Sequence, residues 1–211
     1  MITRREAIQH VAALLGGTAL CGGDRLLAFA VDEEALNAVL AQGVGSFSAA
    51  DVALLDEIAD TILPETSTPG AKAAKTGAFM ALMVTDTYTE RNQQVFRAGL
   101  GAVDAASTGA HQVAFMQATP RQRLSVIEAL DREQKQVMDA RRAAPSNRAP
   151  APSSSNDEPP HYFRMMKELA LLGYFTSEIG CTKAMQYIEA PGRYDPCAPH
   201  KPGDRTWAGH A

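Results

Sequence analysis

The chain has 211 residues, of which 45% are hydrophobic and 21% charged, a composition typical of one ordinary globular domain with appendages. The sequence has no run of ~20 apolar residues such as spans a bilayer, which argues against a polytopic membrane protein. A formal net charge of −4, without a run of Lys or Arg, indicates that nucleic acid is not a ligand.

The first thirty residues predict an export signal. Arg4 and Arg5 precede a moderately apolar stretch, and Ala28 and Ala30 form an Ala-x-Ala cleavage pattern. Paired arginines ahead of a weakly hydrophobic, glycine-containing segment resemble a twin-arginine signal, which transports proteins that are already folded. We therefore expect cleavage after Ala30 and a periplasmic location.

Two other interpretations of this segment stay open. It is also compatible with an amphipathic N-terminal helix that belongs to the fold, or with a lipid anchor on Cys21, although Leu20 is larger than the residue such signals place before the cysteine. If the export signal is correct, residues 31–211 form a single helical domain.

From Asp32 onward the apolar residues recur at helical spacing and useful alternating β patterns are missing, which predicts an all-α fold. Ser48 and Asp51 predict a capping box, and Pro64 ends the helix that follows. The same spacing predicts later helices from Gly77 to Thr89, from Thr89-Glu90 through Val95, Phe96 and Leu100, from Thr119-Pro120 through Leu124, Ile127 and Leu130, and after His161. We expect an irregular helical bundle with long loops and an extended C-terminal tail.

Two connecting segments differ in composition. Leu63 to Lys72 holds two prolines and a glycine between polar residues, which predicts a rigid loop. Residues 143–160 are rich in proline and serine and predict an exposed linker.

Removal of the leader would leave two cysteines, Cys181 and Cys197. In an oxidising compartment they are able to form a disulfide if their Cα atoms approach within ~7 Å, which spacing alone does not decide. The sequence has no CxxC, HxxxH or CxxCH spacing, so neither a zinc site nor attached haem is expected in this chain.

Three blocks carry a specific resemblance: LPETSTPGAKAA from Leu63 to Ala74, HYFRMMKELALLGYFTSEIG from His161 to Gly180, and APGRYDPC from Ala190 to Cys197. They resemble the gluconate 2-dehydrogenase subunit 3 family, the small subunit of bacterial membrane-associated flavin dehydrogenases. The resemblance implies a non-catalytic partner of a large FAD-containing subunit of the glucose-methanol-choline class, often with a cytochrome c carrying haem c. It also implies sugars, sugar acids or glycosides as substrates of the partner, and an indirect membrane association through the complex.

The resemblance further implies that the leader of the small subunit carries both proteins out as a folded pair. The chain itself has no GxGxxG in a βαβ context, no GxSxG and no HExxH, so we expect no cofactor-binding and no catalytic residue in it. The aromatic block and its companion loops predict a partner interface at Pro64, Glu65, Pro69, Gly70, Tyr162, Phe163, Tyr174, Phe175, Arg193 and Tyr194.

Two rival functions stay open. An independent small periplasmic hydrolase would use His161 with an acidic residue, although a helix-capping histidine is the commoner role at such a position. Glu168 and Glu178 share a helix face only if the helix is unbroken, and otherwise indicate solvated or ion-paired carboxylates. The second rival is a cofactor-free scaffold protein without a flavoprotein partner.

Overall fold

A computed structural model of the chain describes residues 43–143, 158–188, 192 and 201–208. Within these ranges the fold is an all-α bundle, as predicted, with a minor two-stranded parallel sheet. The α-helices are α1 Ala49–Ile62, α2 Thr76–Thr87, α3 Glu90–His111, α4 Pro120–Ala143 and α5 Tyr162–Thr176. The shorter elements are a 3₁₀-helix Phe115–Gln117, a π-helix Gly180–Ala184, and the strands β1 Gln186–Tyr187 and β2 Trp207–Ala208.

Local capping explains where the first helices begin. Ser48 and Asp51 form the predicted capping box: the Ser48 hydroxyl accepts from the Asp51 amide at 3.2 Å, and an Asp51 carboxylate oxygen accepts from the Ser48 amide at 2.9 Å. α1 ends two residues before Pro64. Thr89 caps α3 through the amide of Asn92. These signals alone locate the helix ends to within one or two residues.

Helix α5 lies at the centre of the bundle and contacts each of α1 to α4. It approaches two of them closely because glycine stands at the crossing. A Cβ on Gly99 of α3 would lie 2.6 Å from the Tyr162 ring, and a Cβ on Gly173 would lie 2.6 Å from the Phe79 ring. The core around α5 includes Leu55, Ile58, Met80, Val84, Phe96, Val103, Phe163 and Met166.

One leucine on α4 faces solvent although its spacing matched that of core residues. Leu124 is 46% exposed, whereas Ile127 and Leu130 are buried together with Val126. A step of three residues falls about 60° short of a full helical turn, so three such positions drift around the helix. Apolar residues at every third position therefore predict a helix, but they do not identify its buried face.

The structure describes only the ends of the predicted linker 143–160. Residue 143 is the last residue of α4, and Arg141 donates to the Pro159 carbonyl at 2.7 Å and to a Glu158 carboxylate oxygen at 2.9 Å. Residue 143 thus belongs to α4, and Arg141 holds residues 158 and 159 against the end of that helix. Residues 144–157 lie outside the described residues, as do the predicted leader with Arg4, Arg5, Ala28 and Ala30, and also Arg193, Tyr194 and Cys197.

None of the helices that the structure describes combines the length and the apolar character needed to cross a bilayer.

Candidate functional site

The loop between α1 and α2 folds back on the end of α1. The Ala71 amide donates to the Leu63 carbonyl at 2.9 Å, which closes the loop at its base. The Thr66 amide donates to the Thr68 carbonyl at 2.9 Å and forms a tight turn at its tip. Pro64 and Glu65 are exposed on the outer edge, whereas Gly70 is buried. The loop predicted to be rigid is therefore held by its own backbone.

Charged side chains fasten the same loop to the bundle. The Lys72 amide donates to Asp60 Oδ1 at 3.1 Å, and Lys72 Nζ lies 2.8 Å from Glu57 Oε2. The hydrogen bond to Glu57 raises the pKa of Lys72. Arg123 of α4 also pairs with Glu57 and donates to the Phe115 and Met116 carbonyls. Glu57 thus joins the loop to α4.

The start of α2 depends on a second carboxylate. Asp56 Oδ1 accepts from the Gly77 amide at 2.6 Å, and burial raises the pKa of Asp56. A Cβ on Gly77 would lie 2.5 Å from the Asp56 amide nitrogen, so only glycine permits this approach. The Thr76 hydroxyl donates to the Ala71 carbonyl at 2.8 Å and completes the connection.

Tyr174 joins the loop to α5. Its hydroxyl donates to the Pro69 carbonyl at 2.7 Å, across 105 residues of sequence. A Cβ on Gly70 would lie 2.5 Å from Asp60 Oδ1 and 2.7 Å from the Glu65 amide nitrogen. Only glycine therefore fits at this point of the loop. Two of the three blocks that carry the family resemblance therefore meet at one end of the bundle.

The aromatic residues predicted for the interface separate into two groups. Phe163 is 0% exposed and Tyr174 4% exposed, so both rings belong to the core of this chain. This corrects the expectation that they face a partner: α5 packs against α1 to α4, and glycines at two of these crossings, Gly99 on α3 and Gly173 on α5 itself, permit a close approach. Tyr162 is half-buried over Gly99, where burial raises its pKa to about 12. Phe175 remains 38% exposed.

The C-terminal part adds exposed apolar side chains that the sequence did not single out. After Ser177 the chain turns into the π-helix, β1 pairs with β2, and the Gln186 amide donates to the Thr206 carbonyl at 2.9 Å. Besides Phe175, the large exposed apolar side chains in this part and on α5 are Leu172, Tyr187, Ile188 and Trp207. The one sequence feature that could have indicated an exposed apolar surface here is Trp207, the single tryptophan of the chain, which is 56% exposed.

His161 caps α5. Its Nδ1 accepts from the Phe163 amide at 3.2 Å, its ring stacks on Tyr162 with centroids 4.5 Å apart, and Nε2 lies 3.6 Å from Glu133. One ring nitrogen is thus engaged by the backbone, as expected for a capping histidine. Glu168 pairs with Arg164 at 2.7 Å, and α5 ends before Glu178, so these two carboxylates do not share a helix.

The remaining candidates for reactive side chains are Cys181 and groups of metal-binding residues. The Cys181 thiol donates to the Phe175 carbonyl at 3.3 Å, and its pairing with Cys197 stays a prediction because Cys197 lies outside the described residues. In residues 43–143, 158–188, 192 and 201–208, no three His, Cys, Asp or Glu side chains are grouped so that they could hold a metal ion.

A family model described as gluconate 2-dehydrogenase subunit 3 matches residues 49–192, which is more than half of the chain. No curated protein and no solved structure matches the chain. The matched range includes α1 to α5, the loop joined to Tyr174, and Phe175.

Proposed function

The chain belongs to the gluconate 2-dehydrogenase subunit 3 family, and from this membership we propose that it is the small subunit of a periplasmic FAD-dependent dehydrogenase complex. In this proposal the large subunit is a glucose-methanol-choline-type flavoprotein that oxidises a sugar, glycoside or sugar acid. A cytochrome c subunit with haem c accepts the electrons. The small subunit stabilises the flavoprotein and escorts it through twin-arginine export.

The family match over residues 49–192 is the single observation that carries this function. The geometry supports a binding role. Leu172 and Phe175 are exposed on α5, and the Phe175 ring contacts the Tyr174 ring, whose hydroxyl holds the loop at Pro69, so apolar surface is presented on a rigid support. Exposed apolar side chains on a fixed frame are typical of obligate subunit interfaces, which bury more than ~2,000 Å² in total.

The escort role depends on Arg4 and Arg5. The double variant Arg4→Lys, Arg5→Lys should leave both this chain and the flavoprotein in the cytoplasm, because the translocase requires the arginine pair. The measurement is dehydrogenase activity and immunodetection of both chains in periplasmic and cytoplasmic fractions. Arg25→Lys, at the other basic residue of the leader, is the matched control and should be exported normally.

Normal periplasmic dehydrogenase activity in the double variant would show that the flavoprotein does not depend on this leader. Failure of the flavoprotein to co-purify with the wild-type chain would remove the subunit role as well.

A further inference from the structure

A groove of about 330 Å³ lies between α4 and α5. Its lining includes four cationic side chains, Lys135 and Arg142 from α4 and Arg164 and Lys167 from α5. Met138 and Leu171 contribute apolar surface to the same lining. The groove therefore offers positive charge and apolar contact together.

The two helices concentrate the positive charge of the chain. α4 and α5 carry eight basic and five acidic side chains, whereas the other residues carry twelve basic and nineteen acidic ones. The groove lining itself also holds Asp139 and Glu168, so it carries four cations against two carboxylates, on a chain whose formal net charge is −4. Segregated charge of this kind steers a ligand of the opposite sign toward one face of a protein.

Acidic neighbours neutralise these cations only in part. Three ion pairs involve them: Lys167–Asp131 at 2.6 Å, Arg164–Glu168 at 2.7 Å and Arg142–Asp139 at 4.0 Å. Their side chains are between 33% and 77% exposed, and exposed ion pairs contribute little to folding. The cations are therefore able to leave these carboxylates for a carboxylate of a bound segment at a small cost in folding free energy.

The groove is continuous with the exposed apolar residues of α5. Arg164, Leu171 and Phe175 stand at i, i+7 and i+11, which brings them to one stripe of the helix. Arg164 and Leu171 line the groove, and Phe175 is the exposed ring at the C-terminal end of the same stripe. A segment bound in the groove would thus run toward the apolar residues of the proposed interface.

The geometry points to this groove as the docking site for an acidic, partly apolar segment of the partner subunit, an inference that rests on the proposed function. Carboxylates of that segment meet Lys135 and Arg142, and its apolar side chains meet Met138 and Leu171. A concave groove between helices admits a chain segment, whereas a flat bilayer surface does not enter it. Residues 144–157 of this chain carry one arginine and one aspartate and so lack the required acidic excess. Residues 31–42 carry Asp32, Glu33 and Glu34, so cross-links from Lys135 or Lys167 to those three residues instead of to the partner would overturn the assignment.

The test uses the purified complex of the full chain with its FAD-containing partner. Carbodiimide cross-linking followed by peptide mass spectrometry should join Lys135 or Lys167 to Asp or Glu residues of the partner. The double variant Lys135→Glu, Arg142→Glu should bind the partner at least about tenfold more weakly at low salt, because two attractions become repulsions. Circular dichroism and the thermal midpoint verify that the variant is folded.

Arg91→Glu is the matched control: it reverses an exposed cation on α3, outside the groove, and should change the affinity less than about twofold. The groove assignment would be overturned if the wild-type pair co-purifies, gives no such cross-links, and the double variant binds the partner as tightly as wild type does. That outcome would leave the subunit role intact. A double variant that keeps its partner and instead loses binding to phosphatidylglycerol vesicles, or loses self-association in gel filtration, would overturn the groove assignment too. If the wild-type pair does not co-purify, both proposals fall together.

Discussion

The two faces of α5 differ in what they contact, although both come from one aromatic block. On the inner face Phe163 and Met166 are fully buried and Tyr174 nearly so. On the outer face Leu172 is 46% and Phe175 38% exposed. One helix thus supplies both the centre of the core and the candidate partner surface. Stability and partner binding should respond to different residues that lie only one or two positions apart.

Truncation on the inner face should give the largest effect. Phe163→Ala removes a fully buried ring at the centre of the bundle and should lower the free energy of unfolding by about 3–5 kcal/mol, measured by urea denaturation. Phe175→Ala, on the outer face of the same helix, should cost about 1 kcal/mol or less. Equal losses in the two variants would show that the faces are not distinct.

The reverse ranking should hold for partner binding. Phe175→Ala should weaken binding of the flavoprotein by about 2 kcal/mol, or about 30-fold in Kd, if the ring is a desolvated interface anchor. Leu124→Ala on α4 is the control, since that side chain is 46% exposed, similar to Leu172, and lies outside the aromatic block. Titration of the purified flavoprotein by surface plasmon resonance measures both. Wild-type affinity in Phe175→Ala would place the interface elsewhere.

Tyr174 tests the connection between the inner face and the loop. Tyr174→Phe keeps the buried ring but removes the hydroxyl that donates to the Pro69 carbonyl, and should lower the free energy of unfolding by about 1 kcal/mol. Hydrogen exchange should be faster at the Ala71 amide, which closes the base of the loop. Tyr88→Phe, between α2 and α3, removes a phenol hydroxyl from a ring that packs against Phe96 of α3. In Tyr88→Phe the hydrogen exchange rate of the Ala71 amide should match that of wild type. A wild-type exchange rate at Ala71 in Tyr174→Phe would show that Tyr174 does not hold the loop.

Local signals in the sequence predicted most of the helices, because caps and prolines act over three or four residues. The capping box at Ser48, the stop before Pro64 and the rigid loop after it were all found in this way. The family resemblance, which rests on three blocks, was confirmed over residues 49–192. These features depend on neighbours in the sequence or on a distinctive order of residues.

The faces of α5 were not predictable, because their burial depends on residues far away in the sequence. Phe163 and Tyr174 were expected at an interface because the block holds many rings. Gly99 stands 63 positions before Tyr162, and nothing local to either residue indicates that α3 and α5 meet there. The bond from Tyr174 to Pro69 spans 105 residues and has no sequence signal either.

The smallest expected effect is the pH response of the ion pair beside the groove. The hydrogen bond from Lys167 lowers the pKa of Asp131, so this carboxylate stabilises the fold above its unfolded pKa and loses that contribution as pH falls through its folded pKa. Burial raises the pKa of Asp56, which acts in the opposite direction: its contribution is present at low pH and is lost as pH rises through the folded pKa.

As the pH falls, the Asp131 contribution to stability decreases while the Asp56 contribution increases. The contribution of Asp131 is therefore isolated only by the difference in stability between wild type and an Asp131 variant. Asp131→Asn should lower stability near pH 7 by a few tenths of a kcal/mol, about what a half-exposed pair contributes, and the two proteins should converge as the pH falls below 4. Asp139→Asn, which removes the more exposed carboxylate of the 4.0 Å pair with Arg142, is the control and should change the free energy of unfolding near pH 7 less than Asp131→Asn does. A constant difference between Asp131→Asn and wild type across the acid range would show that Asp131 acts through packing rather than through its charge.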